Sequence, residues 1–166
     1  MSTNTEDTAD PLNVFICSAG HSGSTLLDML LGSHSRAESL GELVNLPLDV
    51  GLDRPCACRS AMSACPLWTR VLARMGVAAA DVQRMNLGYS LVPPVGAPRI
   101  ERLLARPKMA LAYLRLRFPA VPLAGATPGL DSGLARTLEI YDHVRALTGK
   151  TLIVDSSKHY VRAAAL

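Results

Sequence analysis

Two stretches of this chain follow one plan, and together they restrict its fold more than anything else in it. Asn13–Ser18 is a short apolar run with the character of a buried strand, and Thr151–Asp155 (TLIVD) is a second. Each is followed at once by a turn of small residues and then by a helix. The first turn reads Gly20-His21-Ser22-Gly23-Ser24-Thr25, and the second opens with Ser156-Ser157. Strand, tight turn and helix, used twice, predict an α/β fold with a parallel sheet flanked by helices. In such sheets ligands bind outside the carboxyl ends of the strands, so both turns fall at the binding edge if the two strands are neighbours.

The remaining elements fit around that frame. Ser22–Ser33 predicts a helix: Leu26, Leu27, Leu30 and Leu31 recur at helical spacing, and Gly32 lies near its end. Ala37–Leu46 carries on from it with Glu42 and is closed by Pro47. Asp49–Cys65 reads as a loop containing three cysteines, and Pro66–Met75 as a helix stopped by Gly76. Asn86–Pro98 and Val121–Gly129 are Pro/Gly loops, with a Leu-, Ala- and Arg-rich stretch, Ile100–Phe118, between them that Pro107 breaks or starts. Ser132–Leu147 is a helix that Asp131 or Ser132 can cap and Gly149 ends, and Ser156–Leu166 starts another.

Size and charge set the class. A chain of 166 residues suits one domain and can bury roughly 70% of its unfolded surface. Hydrophobic residues make up 49% and charged residues 19%, which excludes an intrinsically disordered chain. Seventeen Lys and Arg against fourteen Asp and Glu leave +3, enough for a small anionic ligand and too little to argue for nucleic acid. No apolar run is long enough to span a membrane. Residues 1–11 are polar and acidic, without the basic start and apolar run of a secretory signal, so they are expected to form a flexible tail. Residues 12–166 are then the folded unit, in the cytoplasm, with reduced cysteines.

The first turn has the chemistry of an anion site. A helix N-terminus carries unpaired N–H groups and a partial positive charge. Gly20 and Gly23 let the backbone curl, and Ser22, Ser24 and Thr25 add hydroxyls. Taken alone, the turn fits either a phosphate loop or an ordinary strand-to-helix turn with a serine cap. It is not a nucleoside triphosphatase loop: no lysine follows Gly23, and only two residues separate Gly20 from Gly23. A G-x-G-x-x-G dinucleotide loop is absent too.

The stretch Ser22-Gly23-Ser24-Thr25-Leu26-Leu27 resembles the 5′-phosphosulfate loop of sulfotransferases that use 3′-phosphoadenosine 5′-phosphosulfate (PAPS). His21 stands where most of that family has Arg or Lys. Gly41-Glu42 resembles the Gly-Glu that supplies the catalytic base in the family's tyrosylprotein branch, with Glu38 as the nearby competitor. Asp155-Ser156-Ser157-Lys158 is similar to the D-S-S-K segment of bacterial members, where the lysine lies close to the transferred group. Arg162, one helical turn beyond, is expected on the same side. The resemblance implies a phosphate-loop-like fold with PAPS as co-substrate, bound by Gly20, His21, Ser22, Gly23, Ser24, Thr25, Ser156 and Ser157. Glu42, Lys158 and His21 would be its catalytic residues. A small-molecule, carbohydrate or lipid acceptor would receive the sulfuryl group on a hydroxyl or amine, without a required metal. The family's next strand, bearing the arginine that binds the 3′-phosphate, lies beyond Leu166, so the chain is expected to be the N-terminal part of such a domain. The sheet edge thereby exposed invites self-association. Two other readings stand beside this one: a kinase-like nucleotide binder, which the missing lysine disfavours, and a non-catalytic remnant.

Cys56, Cys58 and Cys65, with Cys65-Pro66-Leu67-Trp68, form a local cluster. Three thiols can bind zinc, but a structural site takes four ligands, and no histidine or fourth cysteine is near in sequence. The C-x-C and C-P-x-W pattern also resembles a feature of the same bacterial sulfotransferases. It is read as a structural and family marker, and no metal ligand is expected. His34, His143 and His159 are read as ordinary polar residues.

Overall fold

The apolar run near the end of the chain becomes the centre of the sheet. The computed structural model describes residues 10–19, 21–87, 98–100, 103–104, 107, 110–111, 114, 117–118, 130–158 and 162–163; for 130 and 131 it describes the backbone alone. Strand β1 spans Leu12–Phe15, β2 Ala37–Ser39 and β3 Leu152–Asp155. They pair in the order β1-β3-β2, all parallel, with Phe15 opposite Asp155 and Ser39 opposite Val154. The two outer strands therefore meet only through the last one.

Helices α1 (Ser24–Gly32), α2 (Leu46–Gly51), α3 (Pro66–Arg74), α4 (Ala79–Val82) and α5 (Leu130–Thr148) accompany the sheet. Because strand side chains alternate, β3 feeds two cores. Ile153 belongs to the larger one, with Leu43, Trp68, Val71, Ile140, Tyr141 and Val144 from the Cys-bearing side, α3 and α5. Val154 points the other way, to Ile16, Ala37 and Leu31 of α1. The result is a mixed α/β arrangement in which a three-stranded parallel sheet is covered by helices, as the paired strand–turn–helix units predict.

The elements depart from expectation in several places, among them the expected loop Asp49–Cys65, which starts inside α2 and holds a 3-10 turn at Met62–Ala64. Ala37–Leu46 does not simply run on from α1: its first three residues are β2, and Leu43–Asn45 is a 3-10 turn. Pro47 opens α2 rather than closing anything, since its missing N–H is not needed in a first turn. Helix α5 begins at Leu130, so Ser132 lies inside it instead of capping it. Ser156–Lys158 is not a helical turn; it continues from β3 without helical backbone, and Lys158 is left-handed at φ 63°. The expected loops at Asn86–Pro98 and Val121–Gly129 lie almost wholly outside the described residues, as do Gly20 and most of the expected tail.

Candidate functional site

The strand order places three turns side by side at the carboxyl edge of the sheet. The turn after β1 leads to α1, the turn after β2 carries Gly41-Glu42, and the turn after β3 carries Ser156-Ser157-Lys158. Backbone bonds stitch the last two together. Leu40 N–H donates to Val154 O at 2.9 Å, Ser156 N–H to Gly41 O at 2.8 Å, and Val44 N–H to Ser157 Oγ at 3.1 Å. Gly41, left-handed at φ 63°, gives the sharp bend that turns Glu42 back over this edge.

Glu42 and Lys158 meet there. The Lys158 ammonium donates to Glu42 Oε1, and Asn45 Nδ2 donates to Oε2 at 3.0 Å. Both charged side chains remain partly open to solvent. Two residues expected to act together are thus brought into contact. The first loop contributes no side chain to that pair, although the Cys17 thiol reaches the Lys158 carbonyl oxygen at 3.9 Å.

In the first loop, His21 (φ 60°) and Gly23 (φ 79°) are left-handed while Ser22 between them is not. Alternating hand turns successive N–H groups toward one side, as in anion-binding nests. Among the described residues no side-chain cap closes α1 and no acid sits in its first turn, so nothing there offsets the partial positive charge of its leading N–H groups. His21, Ser22 and Thr25 are exposed, and Ser24 is buried. Just upstream, the Ser18 hydroxyl is buried with no hydrogen-bond partner.

The turn after β3 is held by charge. Asp155 is buried and accepts four hydrogen bonds. Tyr141 Oη donates to Oδ2 at 2.6 Å and Arg162 Nη2 to the same oxygen at 2.9 Å; Ser157 N–H donates to Oδ1 at 2.9 Å, and so does the Ser157 hydroxyl. Burial, then the Asp155 carboxylate, push the Tyr141 phenol well above its ordinary range, so it stays a donor. Arg162 is fully buried and also donates to Leu87 O. It therefore does not join Lys158 on one face. Without a helix through Ser156–Lys158, the one-turn spacing does not apply. Ser156 and Ser157 are both buried, and the Ser157 hydroxyl is committed to Asp155 and Val44. Glu38, the competitor of Glu42, is tied to Lys150 at 2.8 Å.

Sequence reasoning passed over two features. Asp155 ends a strand and opens the D-S-S-K segment, but its network with Tyr141 and Arg162 cannot be read from spacing. Asp28, the lone acid of the leucine-rich α1, is also buried. Ser39 Oγ donates to its Oδ2 at 2.8 Å while Oδ1 has no partner, and desolvation raises its pKa. The signal for Asp28 was there: a single carboxylate on an otherwise apolar helix.

Glu42 and Asp28 help line a cleft of about 310 Å³ whose far wall is Cys56, Cys58, Cys65, Met62 and Trp68. All four cysteines are free thiols. Burial pushes the Cys56 thiol up to about 11, whereas hydrogen bonds from Ser60, its N–H first, hold that of Cys58 down at about 7. No helix among the described residues is long and apolar enough to cross a membrane. No protein-family model, curated protein or solved structure matches the chain.

Proposed function

We propose that this chain is a sulfuryl-transfer protein of the PAPS-dependent kind, with a phosphate-loop-like fold and a cytoplasmic setting. The observation that carries the reading is the Glu42–Lys158 ion pair. A carboxylate and an ammonium from opposite halves of the sequence meet at the carboxyl edge of a parallel sheet, beside the turn that leads into an uncapped helix. The orphaned Ser18 hydroxyl and the left-handed residues of the first loop add support, because both suit a group that arrives from outside.

In this reading the N–H groups of Gly20–Thr25, with His21, hold the 5′-phosphosulfate. Glu42 takes the proton from an acceptor hydroxyl or amine as that atom attacks sulfur. The bond from sulfur to the bridging oxygen breaks, and 3′-phosphoadenosine 5′-phosphate leaves. Negative charge grows on that oxygen, and Lys158, His21 and the loop amides offset it. An ammonium has three donors, so Lys158 can keep one on Glu42 while another follows the leaving group. Ser157, whose hydroxyl is committed to Asp155, and the buried Ser156, whose N–H is bonded to Gly41 O, act by positioning Lys158 rather than by touching the nucleotide. The cleft beyond Glu42 is the place for a small-molecule, carbohydrate or lipid acceptor.

Calorimetric titration with 3′-phosphoadenosine 5′-phosphate against ATP–magnesium tests the site. The first ligand is expected to bind preferentially; preference for ATP–magnesium, or no binding of either by the folded chain, would sink the reading. Once an acceptor is found, Glu42→Gln is expected to lower kcat by about 10²–10⁴-fold while nucleotide affinity holds. Undiminished turnover would remove Glu42 from the chemistry.

A further inference from the structure

We propose that Cys56, Cys58 and Cys65 form a zinc site with three thiolate ligands and a fourth position open to the cleft. The three Sγ atoms all lie within 4.8 Å of one another, with Cys65 Sγ at 3.4 Å from that of Cys56 and 3.6 Å from that of Cys58. Zn–S bonds of ~2.3 Å at tetrahedral angles put sulfurs about 3.8 Å apart, so small side-chain movements suffice to admit the ion.

The backbone is shaped for this. A bridge between Pro55 and Ala61, with Cys56 N–H donating to Ser60 O and Arg59 N–H to Cys56 O, both at 2.8 Å, closes a tight loop around the C-x-C pair. Arg59 makes the turn in the left-handed region at φ 70°. This tight loop leaves the N–H groups of Cys58 and Ser60 close in sequence to the Cys56 and Cys58 sulfurs. N–H bonds to sulfur are outer contacts that orient thiolate ligands on a metal. Cys65 comes from a separate element, the N-cap of α3, where the helix end favours a thiolate.

Packing does not account for the group. Cys65 is buried, but Cys56 is only half-buried and Cys58 is exposed. A disulfide would use two thiols and strand the third. Asp28, Glu38, Glu42 and Asp49 line the same cleft, yet among the described residues no carboxylate or histidine joins the three sulfurs as a ligand. We assign the fourth position, which no described residue fills, to water or to a donor atom of whatever enters the cleft. Binding releases the thiol protons, as many as three per ion. Thiolates select soft or borderline cations, which excludes magnesium and calcium. The sulfuryl-transfer reading is not needed for this site.

The test uses the full chain, purified reduced and supplied with zinc. One equivalent of zinc is expected to survive dialysis against metal-free buffer. Replacement by cobalt(II) should give a thiolate charge-transfer band and the visible absorption of a tetrahedral ion. Cys58→Ser, at an exposed position that leaves the core untouched, should weaken zinc binding about 100-fold or more, beyond what outer contacts cost. Cys17→Ser, outside the cluster, should retain the full equivalent. A reduced, folded chain that keeps no zinc would overturn the proposal. So would Cys58→Ser binding as the parent does, or a disulfide within the trio despite supplied zinc.

Discussion

Asp28 is the one carboxylate of α1, and the fold takes it out of water with only Ser39 for company. A buried carboxyl with one orphaned oxygen prefers its proton, which is why its pKa is raised. The native chain then holds this proton more tightly than the unfolded chain does. The stabilisation that protonation brings is complete below the ordinary carboxylate range and is lost as pH rises through the raised native value. Asp28→Asn keeps an acceptor for Ser39 and cannot ionise. In urea titrations across that range the parent should lose stability relative to the variant as pH rises; parallel profiles would mean that the fold does not raise the Asp28 pKa. At this scale the sequence was informative about identity and silent about partners. Glu42 and Lys158 stood out because Gly41-Glu42 and Asp155-Ser156-Ser157-Lys158 resemble segments of PAPS-dependent sulfotransferases. The fate of Arg162 did not, since it depends on a buried aspartate that only the assembled turn creates.

Helix α1 and strand β2 meet where Gly32 faces Ser39. A Cβ built on Gly32 would lie 2.7 Å from the Ser39 Cβ, closer than side-chain atoms approach. Elsewhere in a helix, Gly→Ala stabilises by about 0.5–1 kcal/mol. Here the sign should reverse, with Gly32→Ala costing about 1–3 kcal/mol by overpacking. Chemical denaturation reads the difference directly, and a stabilised variant would show that the contact can relax. The same junction explains what was hidden in the sequence. α1 and β3 were legible from apolar runs of adequate length. β2 is Ala-Glu-Ser, too short and too polar to declare itself, and is a strand because β3 offers it a free edge. Pro47 misled for a related reason: proline marks both ends of helices, and only the neighbouring turn decides which.

Seen whole, the molecule covers its sheet unevenly. Leu31 of α1 turns inward, while Leu26, Leu27, Met29 and Leu30 are exposed, Met29 by 66%. Apolar surface of this kind promotes association. Leu26→Lys with Leu30→Lys should leave thermal stability almost unchanged, as surface substitutions do. Sedimentation velocity should show less self-association than in the parent. Association that persists would run instead through an edge strand, the route expected from the sequence. The order of the strands has a further effect, in time rather than in space. Of the three described strands, the middle one of the sheet is the last to be made. Until it is, β1 and β2 have no partner in common, Glu42 has no Lys158, and the chain carries two unpaired strands while the residues between β2 and β3 are made. Such late, long-range closure is slow and exposes strand edges. The nascent chain thus keeps both strand edges open until β3 is made, and it gains the Glu42–Lys158 pair only then.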